Sequence, residues 1–222
     1  MKKLLLGLIG SSLFAIPALA GESKLKKGFY SMDAMGCMML RECTENVRRI
    51  KSINDIRKEF PGSDFDIIAD EFDSMLVSLD KIGVMVFLGP EKYFPPGHRG
   101  VYHTVSNNFY LNEVFVHRPS VLMTVMRHEG WHAAQDCMAG SIDNTMIAII
   151  KPEEDVPRFW RDIVEKTYPK SAVPWEAEAK WAGKTAGMTS KALKSCAAGT
   201  MWTDYKPTPL TEKWLREEGY IN

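Results

Sequence analysis

Residues 119–140 read PSVLMTVMRHEGWHAAQDCMAG, and this stretch decides how the chain folds. Its apolar residues recur at helical spacing, Pro119 is typical of the first turn of a helix, and Gly140 is typical of the residue after one. A helix advances about 3.6 residues per turn, so His128 and His132 lie on one face, one turn apart. The stretch therefore predicts a helix that presents two imidazoles to the same point in space.

The histidine pair has the spacing of a metal site with a carboxylate beside it. Two imidazoles one turn apart can each direct a nitrogen to a tetrahedral Zn²⁺ ion. Glu129 is rotated by about 100° from His128 around the helix, so it is placed to take a proton from a water at the ion. Gly130 costs a helix about 1 kcal/mol relative to alanine, which indicates that something packs closely against the backbone there. The alternative is that both histidines are core or surface residues without a metal.

The pattern from His128 to His132 resembles the H-E-x-x-H motif of the zincin metallopeptidases. The metzincin subgroup continues with a glycine and a histidine where this chain has Gln135 and Met138, so that subgroup is excluded. The remaining resemblance is to the gluzincins. It implies a bound Zn²⁺, Glu129 as general base, and a peptide substrate extended along an edge strand, which we place near residues 109–112.

Gluzincins take a third metal ligand from a glutamate on a later helix, in a pattern such as E-x-x-A-D. Glu176 precedes Ala179 at this spacing, although Lys180 stands in place of the aspartate. Plotted as a helix, this segment has one face of small residues that allows close packing, and Glu176 and Glu178 flank that face on opposite sides. Helical geometry does not choose between them. The resemblance favours Glu176 as the ligand, with Glu178 as the alternative, and a surface ion pair between Glu176 and Lys180 is the reading without a metal.

The groups around the metal ligands are less clearly indicated. Asp136, Asp143 or Glu178 are candidates to orient the imidazoles, whereas Gln135 is expected on the helix surface. Several ring side chains on or near the predicted strands and in the tail are candidates to stabilise an oxyanion. They are His103, Tyr102, Tyr110 and Tyr205.

Patterns elsewhere in the chain predict an α+β fold, mainly helical, with a small β-sheet preceding the motif helix. Apolar spacing predicts helices over residues 44–60 and 65–82, a buried strand over 84–89, and two strands around the turn at Ser106–Asn108. Further helices are predicted over 153–168 and 174–196, followed by a short tail helix over 211–219.

Four cysteines occur in the chain, an even number that suggests two disulfides in an exported protein. We expect a short local bond between Cys37 and Cys43. We also expect a long-range bond between Cys137 and Cys196, which would clamp the motif helix to the glutamate helix. A metal site built from the four cysteines is disfavoured because their spacing differs from that of zinc knuckles.

The N-terminus is typical of a secretory signal. Residues 1–20 combine Lys2 and Lys3, an apolar run too short to span a bilayer, and a small-x-small site ending at Ala20. We therefore expect a secreted or periplasmic protein without stable membrane insertion, folded as one domain over 21–222 with its core roughly at 64–200. The 28 basic and 28 acidic residues balance, so nothing indicates a nucleic-acid partner.

Together these patterns lead to one expectation about function and one alternative. The expected activity is that of an exported zinc-dependent hydrolase, most simply a metallopeptidase acting on a peptide or protein substrate. The alternative is a catalytically inactive zinc-binding protein that keeps a zincin-like fold for a structural or interaction role.

Overall fold

The computed structural model describes residues 32–140, 142 and 146–206. The helices of this part of the chain are α1 (Met32–Met39), α2 (Ile53–Glu59), α3 (Asp66–Lys81), α4 (Glu113–Val116), α5 (Pro119–Met138), α6 (Arg158–Val164), α7 (Val173–Lys184), α8 (Met188–Ala198) and α9 (Met201–Asp204). Its strands are β1 (Arg48–Arg49), β2 (Met85–Gly89), β3 (Gly100–His103) and β4 (Asn108–Asn112). The predicted signal peptide, its cleavage after Ala20, the tail helix over 211–219 and Asp143 lie outside these described residues.

Helix α5 is the central element of the fold, and it is the helix that the motif predicts. It packs against α3, α7, α8 and strand β3, which surround it. Its Trp131 side chain is fully buried. A Cβ atom on Gly130 would lie 2.8 Å from the Met75 Cε and 3.1 Å from the Thr189 Cγ2, so this glycine lets α3 and α8 approach closely. The close approach expected at Gly130 is therefore confirmed.

The four strands form one mixed sheet in the order β1-β2-β4-β3. Strands β2 and β4 are parallel, while β1 pairs with β2 and β3 pairs with β4 in antiparallel fashion. The helical content and the small sheet ahead of α5 confirm the α+β prediction. Strand β4 has neighbours on both sides, so the expectation that residues 109–112 form an edge is wrong. The edge strand nearest α5 is β3.

Side chains alternate between the two faces of this sheet, as strand geometry requires. Val86 and Leu88 of β2 and Phe109 of β4 join the main core with α3 and α5. Phe87 and Tyr110 point to the opposite face, where their rings stack at 5.3 Å and pack against methionines of α1. The sheet is thus buried on both faces, which holds β3 firmly beside α5.

The prediction of one helix over residues 44–60 is wrong in its first half. Arg48–Arg49 is a strand paired with β2, and the amide of Ile50 donates to the Val86 carbonyl at 2.8 Å. The helix begins only at Ile53, after Ser52 and Asp55 form a capping box. A helical stripe of apolar residues and a short strand between the partly buried Val47 and the buried Ile50 look alike over so few residues, and pairing with β2 decided the outcome.

Three other boundaries differ from the predictions. The second of the two strands expected around the turn at Ser106–Asn108 ends at Asn112, whose side chain accepts from the Val114 amide and starts α4. The helix expected over 153–168 is shortened to α6, which starts after Pro157. The helix expected over 174–196 is broken into α7 and α8, because Gly187 adopts a left-handed conformation with φ of 75°.

Both predicted disulfides are present, Cys37–Cys43 and Cys137–Cys196. Because Cys196 belongs to α8, the longer bond ties the motif helix to α8 and not to the helix that carries Glu176. Both bonds are compatible with export to an oxidising compartment. A search of the described helices finds none with the length and apolar character needed to span a bilayer.

The two disulfides should contribute unequally to stability. The Cys137–Cys196 bond closes a sequence separation of 59 residues, and the Cys37–Cys43 bond closes one of 6. Chain-entropy arguments then predict that paired alanine substitutions lower the free energy of unfolding by about 4 kcal/mol for the long loop and by about 2 kcal/mol for the short one. Urea unfolding followed by tryptophan fluorescence measures both values, and equal losses would contradict the assignment of the long bond as the main staple.

Candidate metal centre

Three side chains from two helices converge on one point. His128 and His132 lie one turn apart on α5, with ring centroids 4.9 Å apart. Glu176 comes from the first turn of α7, and its two carboxylate oxygens lie 3.4 Å from the His128 Nε2 and 3.6 Å from the His132 Nε2. One donor atom from each residue lies within 4.8 Å of the other two, so this group can hold a metal ion.

The position of Glu176 depends on how closely α7 approaches α5. A Cβ atom on Gly183 would lie 3.1 Å from the Thr124 carbonyl oxygen and 3.3 Å from the His128 Cβ. Ala179 and Ala182 on the same face are fully buried. The small-residue face predicted from the sequence therefore makes the contact that brings Glu176 to the imidazoles.

The imidazoles and the carboxylate of the cluster shift one another's pKa values. Burial alone would lower the pKa of His128, but its contact with the Glu176 carboxylate and the nearby charge of Glu129 outweigh burial and raise that pKa. Burial alone would raise the pKa of Glu176, but the two imidazoles outweigh it and lower that pKa. The Glu176 carboxylate is therefore held in its charged form, as a metal ligand must be.

The donor set fits a divalent transition metal. The Glu176 Oε2 is buried and makes no hydrogen bond within the described part of the chain. A buried carboxylate oxygen in that state is costly unless a cation satisfies it. Two imidazoles and one carboxylate are also the protein ligands expected of a zinc site with one position open for water or substrate.

The Gln135 side chain sets the orientation of His132. Its amide nitrogen donates to the Glu178 carboxylate at 2.7 Å and to the Trp175 carbonyl at 3.2 Å, so its oxygen faces the His132 Nδ1 at 2.8 Å. The Nδ1 must then carry the proton, which leaves Nε2 free to bind a metal. Gln135 is fully buried, so the expectation of a helix-surface glutamine is wrong.

The alternative ligand Glu178 has a different role. It is fully buried, and besides Gln135 its carboxylate accepts hydrogen bonds from the Trp131 indole and from the amides of Ile150 and Lys151. Burial outweighs these donors and raises the pKa of Glu178. The Glu178 carboxylate therefore points into the protein and accepts a hydrogen bond from Gln135, whose oxygen contacts His132. Glu178 thus helps to orient that imidazole through Gln135, which was one of the roles predicted for it.

Glu129 lies at the border of a cleft of about 360 Å³ that opens beside His128. Its Oε2 accepts a hydrogen bond from the Tyr102 amide of β3 at 3.0 Å. A Cβ atom on Gly100 would lie 3.2 Å from the Glu129 Cγ, so this glycine lets the edge strand pass close to the carboxylate. Strand β3 thus fixes the direction of Glu129.

Tyr168 is a cleft residue that the sequence did not reveal. Its side chain borders the cleft with His128 and Glu129. Burial, together with the negative charges of Glu176 and Glu129, raises the pKa of its hydroxyl well above the usual value. It lies between α6 and α7 without a recognisable motif, so only the folding of these two helices against each other could place it here.

The ring side chains considered from the sequence are engaged elsewhere. The Tyr102 hydroxyl donates to Asp136 at 2.7 Å, and the Tyr110 hydroxyl donates to the Met38 carbonyl at 3.2 Å. His103 contacts the Ser106 hydroxyl at 2.7 Å, and Tyr205 stacks under Lys151. Asp136 therefore supports β3 through Tyr102.

Comparison of this chain with protein-family models, curated proteins and solved structures finds no match.

Gly183→Ala should disrupt the cluster by separating α7 from α5. The added methyl meets the Thr124 carbonyl oxygen and the His128 Cβ, neither of which can move aside without a shift of the helix backbone. We expect the free energy of unfolding to fall by about 1–2 kcal/mol despite the better helix propensity of alanine. Gly62→Ala is the matched control, because nothing lies within 4 Å of a Cβ atom there. Similar effects of both substitutions in urea unfolding would show that the helix contact is looser than described.

Gln135→Met should weaken metal binding while keeping the side-chain volume. It removes the acceptor of the His132 Nδ1 proton and leaves the Glu178 carboxylate without its Gln135 donor. Loss of such a supporting hydrogen bond typically lowers metal affinity by about 10–100-fold. Zn²⁺ affinity measured by competition with a chelator tests this, and an affinity equal to that of the unchanged protein would contradict the role assigned to Gln135.

Proposed function

We propose that this protein is a zinc-dependent hydrolase of the exported type and that it cleaves peptide bonds. The observation that carries the proposal is the convergence of His128, His132 and Glu176 on one point, with His128 and the neighbouring Glu129 at the border of an open cleft. A metal site of structural purpose is closed by four protein ligands, whereas a site with three protein ligands beside a cleft leaves a position for water and substrate.

His128, His132 and Glu176 would hold the zinc ion. When bound, zinc acts as a Lewis acid that lowers the pKa of water to near neutrality and polarises a carbonyl group. The Gln135 oxygen contacts the His132 Nδ1 and so directs Nε2 toward Glu176, and the close approach of α7 to α5 brings the Glu176 carboxylate within 3.6 Å of that nitrogen. These residues would bind the ion and orient one another, whereas the proton transfers are assigned to Glu129.

Glu129 is the general base of the proposed reaction. It follows His128 directly on α5, and its carboxylate borders the same cleft. The Tyr102 amide donates a hydrogen bond to one of its oxygens, and this hydrogen bond orients the carboxylate. In this role Glu129 accepts the proton of the attacking water and then passes it to the leaving nitrogen.

The Tyr168 hydroxyl is the proposed donor to the developing oxyanion. A tyrosine hydroxyl is protonated at neutral pH, and the raised pKa of Tyr168 extends this range to more basic solutions, so the hydroxyl can donate a hydrogen bond throughout the reaction. It borders the cleft from the segment between α6 and α7. A neutral donor placed where negative charge develops lowers the barrier of acyl transfer.

The substrate is proposed to lie along β3. In the antiparallel β3–β4 ladder, the pairing of Arg99 with Asn112 implies that Gly100 and Tyr102 direct their backbone groups away from β4. Gly100 borders the cleft. Because the Tyr102 amide is held by Glu129, an extended peptide would add to this edge through the remaining outward backbone groups, chiefly those of Gly100, and pass in front of Glu129.

Glu129→Gln should abolish peptide cleavage while the protein still binds zinc. Glutamine keeps the shape of the side chain but cannot accept the proton of water, so we expect cleavage of casein to fall by about 10²–10⁴-fold. Zinc content, measured by elemental analysis after gel filtration, should remain near one ion per chain. His132→Ala should lose both zinc and cleavage.

The control for this experiment is Glu154→Gln, which changes an exposed acid outside the cleft. It should leave both readouts unchanged. Stoichiometric zinc without cleavage in the unchanged protein would favour the alternative of a zinc-binding protein with a structural or interaction role. Absence of bound transition metal in folded protein would contradict the proposal altogether.

A further inference from the structure

The cleft beside the metal ligands carries a lysine in an unusual position. Lys180 lies one turn after Glu176 on α7, and its side chain borders the cleft together with His128 and Glu129. The residue is half-buried, and it follows Glu176 by one helical turn, so the ammonium group lies on the cleft side of the metal ligands. This is the position at which the gluzincin pattern has an acid.

Lys180 is not neutralised by the carboxylates around it. The ion pair with Glu176 expected for an exposed helix surface is not formed, because both Glu176 oxygens face the imidazoles. The ion pairs found in the described part of the chain use other basic residues and leave Lys180 and the neighbouring cleft residue Arg99 without a carboxylate. Glu129 is held by the Tyr102 amide.

The two cations stand on different walls of the cleft. Lys180 comes from α7, and Arg99 directly precedes β3, the proposed substrate strand. The exposed Arg99 guanidinium lies 5.4 Å from the centroid of the Phe115 ring, and a chain running along β3 passes through the cleft that both cations border. Leaving a half-buried ammonium unpaired is unfavourable, and a divalent ion nearby would increase the repulsion. A negatively charged group from outside the chain would relieve both costs.

We infer that the cleft binds a carboxylate of the substrate through Lys180, with Arg99 as a second contact, next to the scissile bond. This inference rests on the proposed peptidase function and specifies its substrate class. The carboxylate can belong to an acidic side chain or to the C-terminus of the peptide. Both sources present the same charge and the same two acceptor oxygens to the lysine.

Matched peptides test the inference in the zinc-loaded Glu129→Gln protein, which should bind without cleaving. The probes are fluorescent peptides of identical length that carry either Asp or Asn at each position, each with a free or an amidated C-terminus. Binding is followed by fluorescence polarisation. We expect the Asp form at one position, or the free C-terminus, to bind about tenfold more tightly than its neutral counterpart.

Substitutions at Lys180 then assign the preference. Lys180→Met should remove it, and Lys180→Arg should retain most of it, because the charge remains. Lys184→Met is the matched control. Lys184 lies one turn further on α7, is exposed and is not among the cleft residues, although it donates to the hydroxyl of the cleft residue Thr124 at 3.3 Å. The control should leave the preference intact.

The outcomes separate this inference from the proposed function. Preference that follows an internal Asp indicates an endopeptidase site for acidic sequences, and preference that follows the free C-terminus indicates a carboxypeptidase site. Both results support carboxylate binding. Zinc-dependent casein cleavage without any charge preference, or a preference equally affected by Lys180→Met and Lys184→Met, overturns the inference and leaves the hydrolase intact. In that case the lysine stem merely covers apolar surface.

Discussion

The whole site depends on the close contact of two helices at Gly183. A Cβ atom at this position would lie 3.1 Å from the Thr124 carbonyl oxygen and 3.3 Å from the His128 Cβ, so glycine allows α7 to lie closer to α5 than a larger residue would. The contact is made one turn from the first histidine and two turns from Glu176, which is why a carboxylate far away in sequence reaches both imidazoles. Packing of small residues thus determines the electrostatics, because the distance between helices sets the distance between charges.

Two glutamates two residues apart illustrate how tertiary surroundings assign different tasks to one side chain. Glu176 faces the histidines, and its pKa is lowered because the imidazoles outweigh its burial. Glu178 faces inward, and its pKa is raised because burial outweighs the donors around it. The first acid is available to a cation, whereas the second is used by the Gln135 amide and the Trp131 indole. The two acids are nevertheless connected, since Gln135 bridges Glu178 to His132.

The rear of the motif helix is held by polar contacts that complement this packing. Glu71 of α3 accepts two hydrogen bonds from Arg127, next to His128, and a third from the amide of Gly187. Burial would raise the pKa of Glu71, but the Arg127 guanidinium outweighs it and lowers that pKa. Thr189 of α8 donates to the Arg127 carbonyl. Because α3, α5 and α8 meet in this network, the segment of α5 that carries the histidines is held in place, which restricts the positions of the two imidazoles.

The sequence by itself determined the elements whose signal is local and periodic. Helical spacing is enough to locate α3 and α5, and the i,i+4 spacing of His128 and His132 dictates that they share a face, since this follows from the pitch of a helix. The tertiary structure alone decided everything that depends on how elements meet. It chose Glu176 over Glu178, buried Gln135, placed Tyr168 at the cleft, made β3 the edge strand, and drew Arg48–Arg49 into the sheet. The physical reason is that periodicity records which face of an element is apolar, whereas the partner of that face is selected by packing between segments distant in sequence.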